Sequence, residues 1–292
     1  MVEQAMRVNG VQLCMESFGD RGDPPLLLIG NSMLEWDRDL CAVLAAGDRL
    51  VLRYDLRDTG WSTTVDPAAP AYTLRDLAAD AAGLVDALGL PDAHVVGRGP
   101  GGWIAQLMAL DHPERVRTLT LVGTRPTSPG KADADLPDHD PELMAALFSG
   151  HRPDWTDCAS ATGAMLRSGR AFAGSGGFDE QAARAHFEAV FARTTAALPA
   201  GVDAGAAQRA NLQSAQFAAM KSGGRWRERL GQIAAPTLVV HGEDDPFFPI
   251  GNAEALAAEI PGATLLRLPD VGQELPPGVW DEFAAALLAH TA

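Results

Sequence analysis

The sequence predicts an α/β protein with a mostly parallel, twisted sheet, helices on both faces of the sheet and an inserted helical cap. Short apolar runs alternate with helical segments over residues 1–125 and again over 227–292. This alternation is typical of a parallel sheet covered on both faces. Residues 126–226 instead hold clusters of Pro, Gly and Asp and several helical stretches, with no convincing strand pattern. We therefore expect one core in two parts, 1–125 and 227–292, interrupted by a helical cap at 126–226.

The elements follow from local signals taken in order. Asn9-Gly10 between two valines indicates a type I′ turn, so the chain opens with an antiparallel hairpin that ends near Phe18. Asp23-Pro24-Pro25 then breaks the chain before the first wholly apolar run. The later predicted strands are 26–29, 49–54, 93–96, 118–122, 237–240 and 264–268. The predicted core helices are 74–88, 103–110, 252–259 and 279–290.

The charge of the chain argues against two classes of partner. The formal net charge is -15, whereas nucleic acid and anionic membrane both favour clustered Lys and Arg. No uncharged apolar run approaches the ~20 residues of a membrane span, and the first six residues lack the order of a signal peptide. Cys14, Cys41 and Cys158 are odd in number and widely spaced, which favours buried thiols over disulfides or zinc ligands. We expect a cytoplasmic monomer or homodimer.

Three motifs carry the functional signal. Residues 97–102 read Gly-Arg-Gly-Pro-Gly-Gly, between the predicted strand at 93–96 and the predicted helix at 103–110. Residues 57–64 read Arg-Asp-Thr-Gly-Trp-Ser-Thr-Thr after another predicted strand, and residues 241–246 read His-Gly-Glu-Asp-Asp-Pro after a third. The first motif is a strand, a sharp turn and a helix, which is the arrangement that presents a nucleophile in G-x-S-x-G enzymes.

The order of these motifs resembles the α/β-hydrolase superfamily over nearly the whole chain. Residues 57–64 are similar to the RDTG-x-S-T-T form of the aclacinomycin methylesterases, which act on anthracyclines, a class of aromatic polyketides. The resemblance implies the α/β-hydrolase fold with an inserted cap. It also implies a place in the tailoring of secondary metabolites such as antibiotics.

The resemblance further implies where a hydrolytic site should lie. Working members need a Ser on the elbow, an acid after a late strand, a His before the last helix and two backbone N–H groups as an oxyanion hole. Here the Ser position is Gly99, and the next residue, Pro100, has no N–H to donate. The His position is Gln273, which cannot shuttle a proton near neutral pH. Asp245 keeps the acid position. The nucleophile, one oxyanion donor and the base are therefore all replaced.

The remaining candidates each have two interpretations. Asp245 is either an acid–base group or only the cap of a turn before Pro246. Arg98 either points a positive charge into the site or serves the scaffold, and Asn31 and Ser32 either bind a substrate carbonyl or hold their loop. The candidate catalytic residues are Asp245, Gln273 and Arg98. The candidate substrate-binding residues are Asn31, Ser32, Met33, Trp36, Gly99 and Pro100.

Large apolar side chains in the cap either line a pocket for a flat apolar or aromatic ligand or form the core of the cap itself. They are Phe148, Trp155, Met165, Phe172, Phe178, Phe187, Phe191, Phe217 and Met220.

The glycine spacing at 97, 99 and 102 also satisfies the G-x-G-x-x-G dinucleotide fingerprint. That motif normally follows the first strand and has an acid ~20 residues further on. Here it follows several strands, and the next predicted strand leads into Gly-Thr-Arg at 123–125 without an acid. An Arg there suits a 2′-phosphate, so NADP stays open as an alternative, but we expect no cofactor and no metal.

The sequence is compatible with three functions. The leading hypothesis is a cofactor-independent, non-hydrolytic enzyme that promotes cyclisation, rearrangement, decarboxylation or proton transfer on a polycyclic, polyketide-like molecule. The second is a small-molecule binding protein without catalytic activity. The third is residual ester hydrolysis by a water molecule with Asp245 as base.

Overall fold

A computed structural model describes residues 3–127, 132–148, 152–220 and 225–292. Its eight strands are β1 (Gln4–Val8), β2 (Val11–Phe18), β3 (Pro25–Ile29), β4 (Leu50–Tyr54), β5 (Ala93–Arg98), β6 (Val116–Val122), β7 (Thr237–Gly242) and β8 (Thr264–Leu268). They form one sheet in the order β1-β2-β4-β3-β5-β6-β7-β8. The pairs β1–β2 and β2–β4 are antiparallel, and all the others are parallel. The predicted fold class is confirmed.

Five helices pack on this sheet, and they are α1 (Arg38–Ala45), α2 (Leu74–Ala87), α3 (Pro100–Asp111), α8 (Gly251–Glu259) and α9 (Trp280–His290). Helix α3 begins three residues earlier than the sequence pattern indicates. Pro100 occupies its first position, where the missing N–H costs nothing and the fixed φ suits a helix.

The central strands β3, β4 and β7 are buried on both faces, which explains their largely apolar sequences. Along β3, Leu27 and Ile29 contribute to one hydrophobic cluster with the inner sides of α2, α3 and α8. Leu26 and Leu28 contribute to a second cluster with α1 and α9. Because alternate residues of a strand face opposite sides, this short strand connects the two halves of the core.

Four further helices lie between β6 and β7, namely α4 (Pro141–Phe148), α5 (Cys158–Phe172), α6 (Glu180–Ala197) and α7 (Ala204–Ala219). We call them the cap helices. The part of 126–226 that the structure describes holds no strand. Across all described residues, every helix is too short or too polar to span a bilayer.

Candidate active site

The turn between β5 and α3 has the geometry of a nucleophile elbow. Gly99 has φ +52° and ψ −122°, a backbone conformation that glycine adopts without steric cost. Its N–H donates to the carbonyl of Val122 over 2.9 Å, and its carbonyl accepts from Thr124 Oγ1 over 2.7 Å. These bonds fix the turn at the carboxyl ends of β5 and β6.

Close backbone packing places this elbow against the end of β3. A Cβ on Gly101 would lie 2.2 Å from the carbonyl oxygen of Ile29, and one on Gly97 would lie 2.5 Å from the carbonyl oxygen of Gly101. Only glycine permits such approaches. Pro100, which lies between these two glycines in the chain, is buried at the first position of α3.

Gln273, at the His position of the family, lies beside Gly99, at the Ser position. The sequence predicts this proximity. A Cβ on Gly99 would be 3.7 Å from Gln273 Nε2 and would meet nothing closer. That amide nitrogen donates to the carbonyl of Gly123 over 2.7 Å, so Gln273 is fixed by the loop after β6. Its Oε1 is buried and has no hydrogen-bond partner among the described residues, which leaves one acceptor at the site.

Asp245 is held inside its own turn. Its Oδ1 accepts from the backbone N–H groups of Phe247 and Phe248, over 2.8 and 2.9 Å. Its Oδ2 lies 3.1 Å from His241 Nε2, and both side chains are fully buried. This geometry favours the turn-capping role over the acid–base role, the two alternatives that the sequence leaves open.

In the loop after β3, carboxylates accept from the backbone N–H groups of Asn31 and Met33. Asn31 donates from its backbone N and from Nδ2 to the two carboxylate oxygens of Glu35, over 3.0 and 2.9 Å. Met33 N donates to Asp55 Oδ1 over 3.0 Å. The Glu35 carboxylate lies so close to the chain that a Cβ on Gly30 would be 2.5 Å from its Oε2. These N–H groups are therefore not free to bind a substrate oxygen.

The other residues predicted from this loop are largely enclosed. Ser32 and Met33 are 4 % and 1 % exposed. Trp36, predicted to bind substrate, is instead a core residue, since its ring stacks on Phe283 of α9 at 6.5 Å between centroids. The sheet and α9 bury it because the loop turns back into α1 immediately after Glu35.

Arg98 is surrounded by titratable groups from three other parts of the chain. Its Nη1 donates to the carbonyl of Glu35 over 3.0 Å. Burial raises the pKa of Glu35 and of Glu274, and the Arg98 charge opposes both rises. Burial and the same charge lower the pKa of His186 on α6. Sequence reasoning missed all three groups, although Glu274 directly follows Gln273 and offers a signal by position.

The cap helices are attached to both late loops of the core. Phe172 at the end of α5 accepts from Gln273 N over 2.9 Å, and Ser175 donates from N to Asp244 Oδ2 over 2.9 Å. On the other side, Arg193 of α6 pairs with the buried Asp55 at 2.7 Å. The cap therefore contacts the loops that carry the predicted acid and His positions.

None of the predicted large apolar cap residues whose side chains the structure describes is fully buried. The half-buried ones are Trp155, Met165, Phe172, Phe178, Phe187 and Phe191. Met220 is 72 % exposed, and the side chains of Phe148 and Phe217 lie outside the described residues. Partial exposure leaves the pocket-lining interpretation open.

Three features together define the α/β-hydrolase fold. They are the elbow between a central strand and a buried helix, the late loops after β7 and β8, and the helical insertion after β6. Residues 28–276 match the family model described as the alpha/beta hydrolase fold, and the chain belongs to this family. It is 33% identical over 300 residues to rhodomycin D methylesterase DauP of Streptomyces sp. (strain C5), with 96% of this chain and 95% of that protein covered. It is 32% identical over 296 residues to rhodomycin D methylesterase DnrP of Streptomyces peucetius, with the same coverage.

Solved structures support the fold. A meta-cleavage product hydrolase from Pseudomonas fluorescens IP01 aligns with a TM-score of 0.74 at 20% identity, covering 99% of this chain and 97% of that one. A bromoperoxidase from Bacillus anthracis aligns with a TM-score of 0.75 at 17% identity, covering 99% of both chains. The predicted resemblance to anthracycline methylesterases is thus confirmed at the level of family and sequence.

Proposed function

We propose that this protein is a cofactor-independent, non-hydrolytic enzyme that acts on a polycyclic, polyketide-like molecule in secondary metabolism. One observation carries the proposal. Gly99 and Pro100 occupy the elbow, and the amide of Gln273 lies 3.7 Å from where a Cβ of residue 99 would stand. The relatives that match over most of the chain are named as esterases of rhodomycin D, which supports an aromatic polyketide as the ligand class.

Ester hydrolysis needs groups that this site lacks. Glycine offers no nucleophile and glutamine no base near neutral pH. Pro100 removes one oxyanion donor, and such a loss alone costs about 10²–10³ in rate when a triad is intact. The Glu35 carboxylate takes the Asn31 N–H in the loop that would supply the other donor. All of these changes act against the same reaction.

The remaining groups suit chemistry without an acyl intermediate. The first turn of α3 follows Gly99, and a helix N-terminus favours a developing negative charge. Arg98 adds a full positive charge at the end of β5. With no side chain at residue 99, a flat ring system can approach the backbone closely. Orientation and proton transfer at such a site are sufficient for cyclisation, rearrangement, decarboxylation or enolisation.

A second candidate is a binding protein without catalytic activity. The Asp245 carboxylate accepts hydrogen bonds from its own turn, so the retained acid of the triad has a structural role there. A structural role for Asp245 favours a binding protein. The same geometry argues against the third function, since a fully buried Asp245 carboxylate is closed to an attacking water.

Purified protein incubated with rhodomycin D separates these functions. Binding is followed by the fluorescence of the ligand, and the recovered ligand is analysed by mass spectrometry. The proposal predicts saturable binding of the aromatic ligand with its methyl ester intact. A panel of related polycyclic ketones should then include one that is converted to an isomer, a cyclised product or a decarboxylated product. Recovery of every ligand unchanged would favour the binding protein, and release of methanol would favour an esterase.

A further inference from the structure

Arg98 lies among titratable groups that three other segments of the chain contribute. Its positive charge acts on Glu35 of the loop after β3, on Glu274 of the loop after β8 and on His186 of α6. Among the described residues, neither the Arg98 guanidinium nor either carboxylate makes an ion pair within 4.0 Å. The buried Arg53, in contrast, pairs with Glu16 at 2.6 Å. Titratable groups whose pKa values are shifted both by burial and by a specific nearby charge are typical of functional sites.

The two carboxylates differ in how far they are already engaged. Glu35 accepts two N–H bonds from Asn31, so its oxygens are committed to holding the loop. Glu274 has no hydrogen-bond partner among the described residues, and only burial and the Arg98 charge act on its pKa. Glu274 is therefore the carboxylate with oxygens free to take a proton from a ligand.

The position of Glu274 places it between the elbow and the cap. Its neighbour Gln273 lies next to Gly99. Its own Oε1 lies against α5, where a Cβ on Gly169 would be 3.2 Å from that oxygen and 3.0 Å from the ring of Phe178. With no side chain of its own, Gly169 leaves room for the Glu274 carboxylate beside the ring of Phe178. A half-buried carboxylate beside an aromatic side chain is suited to a flat, apolar ligand.

We propose that Glu274 is the general base of this site and that Arg98 binds the oxygen anion which proton removal creates. The inference rests on the proposed non-hydrolytic function and names its substrate class, an aryl-fused ketone with hydrogens on the carbon next to the carbonyl. The C–H bond breaks, and its proton moves to a Glu274 oxygen. The electron pair forms a C=C bond while the C=O π pair moves to oxygen, giving an enolate beside Arg98. Return of the proton to carbon completes an isomerisation or precedes ring closure, with no oxidant or reductant.

Hydrogen–deuterium exchange tests this step directly. The probe is 2-tetralone in D₂O, with the loss of its C1 proton signal followed by NMR at saturating ligand. The wild-type protein should accelerate exchange over buffer, because a positioned base contributes about 10²–10⁴ in rate. Glu274→Gln should lower the protein-dependent rate at least tenfold while binding of 2-tetralone, measured by tryptophan fluorescence, stays within twofold. Arg98→Gln should also lower the rate.

Matched variants keep the test decisive. Glu282→Gln changes an exposed carboxylate on α9 and should leave exchange unchanged. Glu274→Asp keeps the carboxylate at shorter reach and should retain part of the rate, and Gly169→Ala should lower it by displacing Glu274. Exchange at the wild-type rate in Glu274→Gln would overturn the inference. Loss of exchange in His186→Gln, with exchange kept in Glu274→Gln, would overturn it as well. Wild-type exchange no faster than buffer would overturn it too, while ester hydrolysis by the wild type would instead overturn the proposed function.

Discussion

At the scale of single residues, the elbow keeps the backbone of a hydrolase and lacks its reactive groups. The φ of +52° at Gly99 is a conformation that costs an ordinary residue about 1–3 kcal/mol. Gly99 N donates to Val122 at the end of β6, and the Gly99 carbonyl accepts from Thr124 in the loop that follows, which maintains the turn. A Cβ on Gly99 would meet only Gln273 within 4 Å, so the space for a serine side chain remains. The elbow geometry is therefore present without a nucleophilic side chain at residue 99.

This geometry predicts that substitutions at the elbow restore ester hydrolysis in two steps. Gly99→Ser with Gln273→His should give at most weak hydrolysis of p-nitrophenyl acetate, because Pro100 still withholds an oxyanion donor. Adding Pro100→Ala should raise kcat/KM by about 10²–10³. Pro113→Ala, in an exposed turn, is the matched control and should add nothing. Equal activity in the double and triple variants would show that Pro100 is not the obstacle.

A buried histidine predicts an acid-sensitive step in stability. His94 is 3 % exposed, and burial, aided by the charges of Arg117 and Arg49, lowers its pKa to about 4. The unfolded chain, with a pKa near 6.5, binds the proton first, so the free energy of unfolding falls as pH drops from about 6.5 to 4. The loss should approach about 3 kcal/mol.

Urea unfolding of the wild type and His94→Gln at pH 7 and pH 4.5 measures this effect. The variant should lose less stability over that interval, because Gln does not titrate. An identical pH dependence in both proteins would assign the acid sensitivity to other groups.

At the scale of elements, one cap helix is attached to the core through a buried charge. Asp55 is fully buried and accepts from Met33 N and Trp61 N, and Arg193 of α6 pairs with it at 2.7 Å. Arg193→Ala should lower the free energy of unfolding by about 3–5 kcal/mol, because it leaves a buried carboxylate uncompensated. Arg184→Ala, which removes an exposed pair with Glu180 on the same helix, should cost less than about 1 kcal/mol. Similar losses in the two variants would contradict this role of Asp55.

The loop after α5 is fitted to the loop that carries Gln273. A Cβ on Gly174 would lie 2.4 Å from the carbonyl oxygen of Asp270 and 2.6 Å from Gly272 N. Gly174→Ala should therefore separate the two loops, lower Tm by several degrees and weaken ligand binding. Gly278→Ala, where a Cβ would meet nothing within 4 Å, is the control and should change neither quantity. Unchanged binding in Gly174→Ala would show that the cap contact does not shape the site.

At the scale of the whole molecule, the sheet was predictable and part of the site was not. Apolar runs such as that of β3 identify buried strands because both faces of the sheet are covered. The pairing of Gly99 with Gln273 was predictable because family motifs locate both positions. Glu35 and Glu274 were missed because their burial and their relation to Arg98 arise only when four separate segments come together. Trp36 was misassigned because a local pattern does not tell which face of a loop packs on α9.

The acidic character of the whole chain fits a small neutral ligand. A net charge of -15 gives a negative field that opposes anionic partners in general. Within that field, Arg98 is a local positive charge under the cap helices. A ligand that becomes anionic only inside the site would be stabilised there without having to enter as an anion.

The most direct test of the central claim is the release of methanol from rhodomycin D, measured side by side for this protein and for the methylesterase DauP. We predict release by the methylesterase and none above buffer by this protein, at a concentration where ligand fluorescence shows binding to both. Methanol release by this protein at a comparable rate, abolished by Asp245→Asn, would contradict the claim and restore hydrolysis as its function.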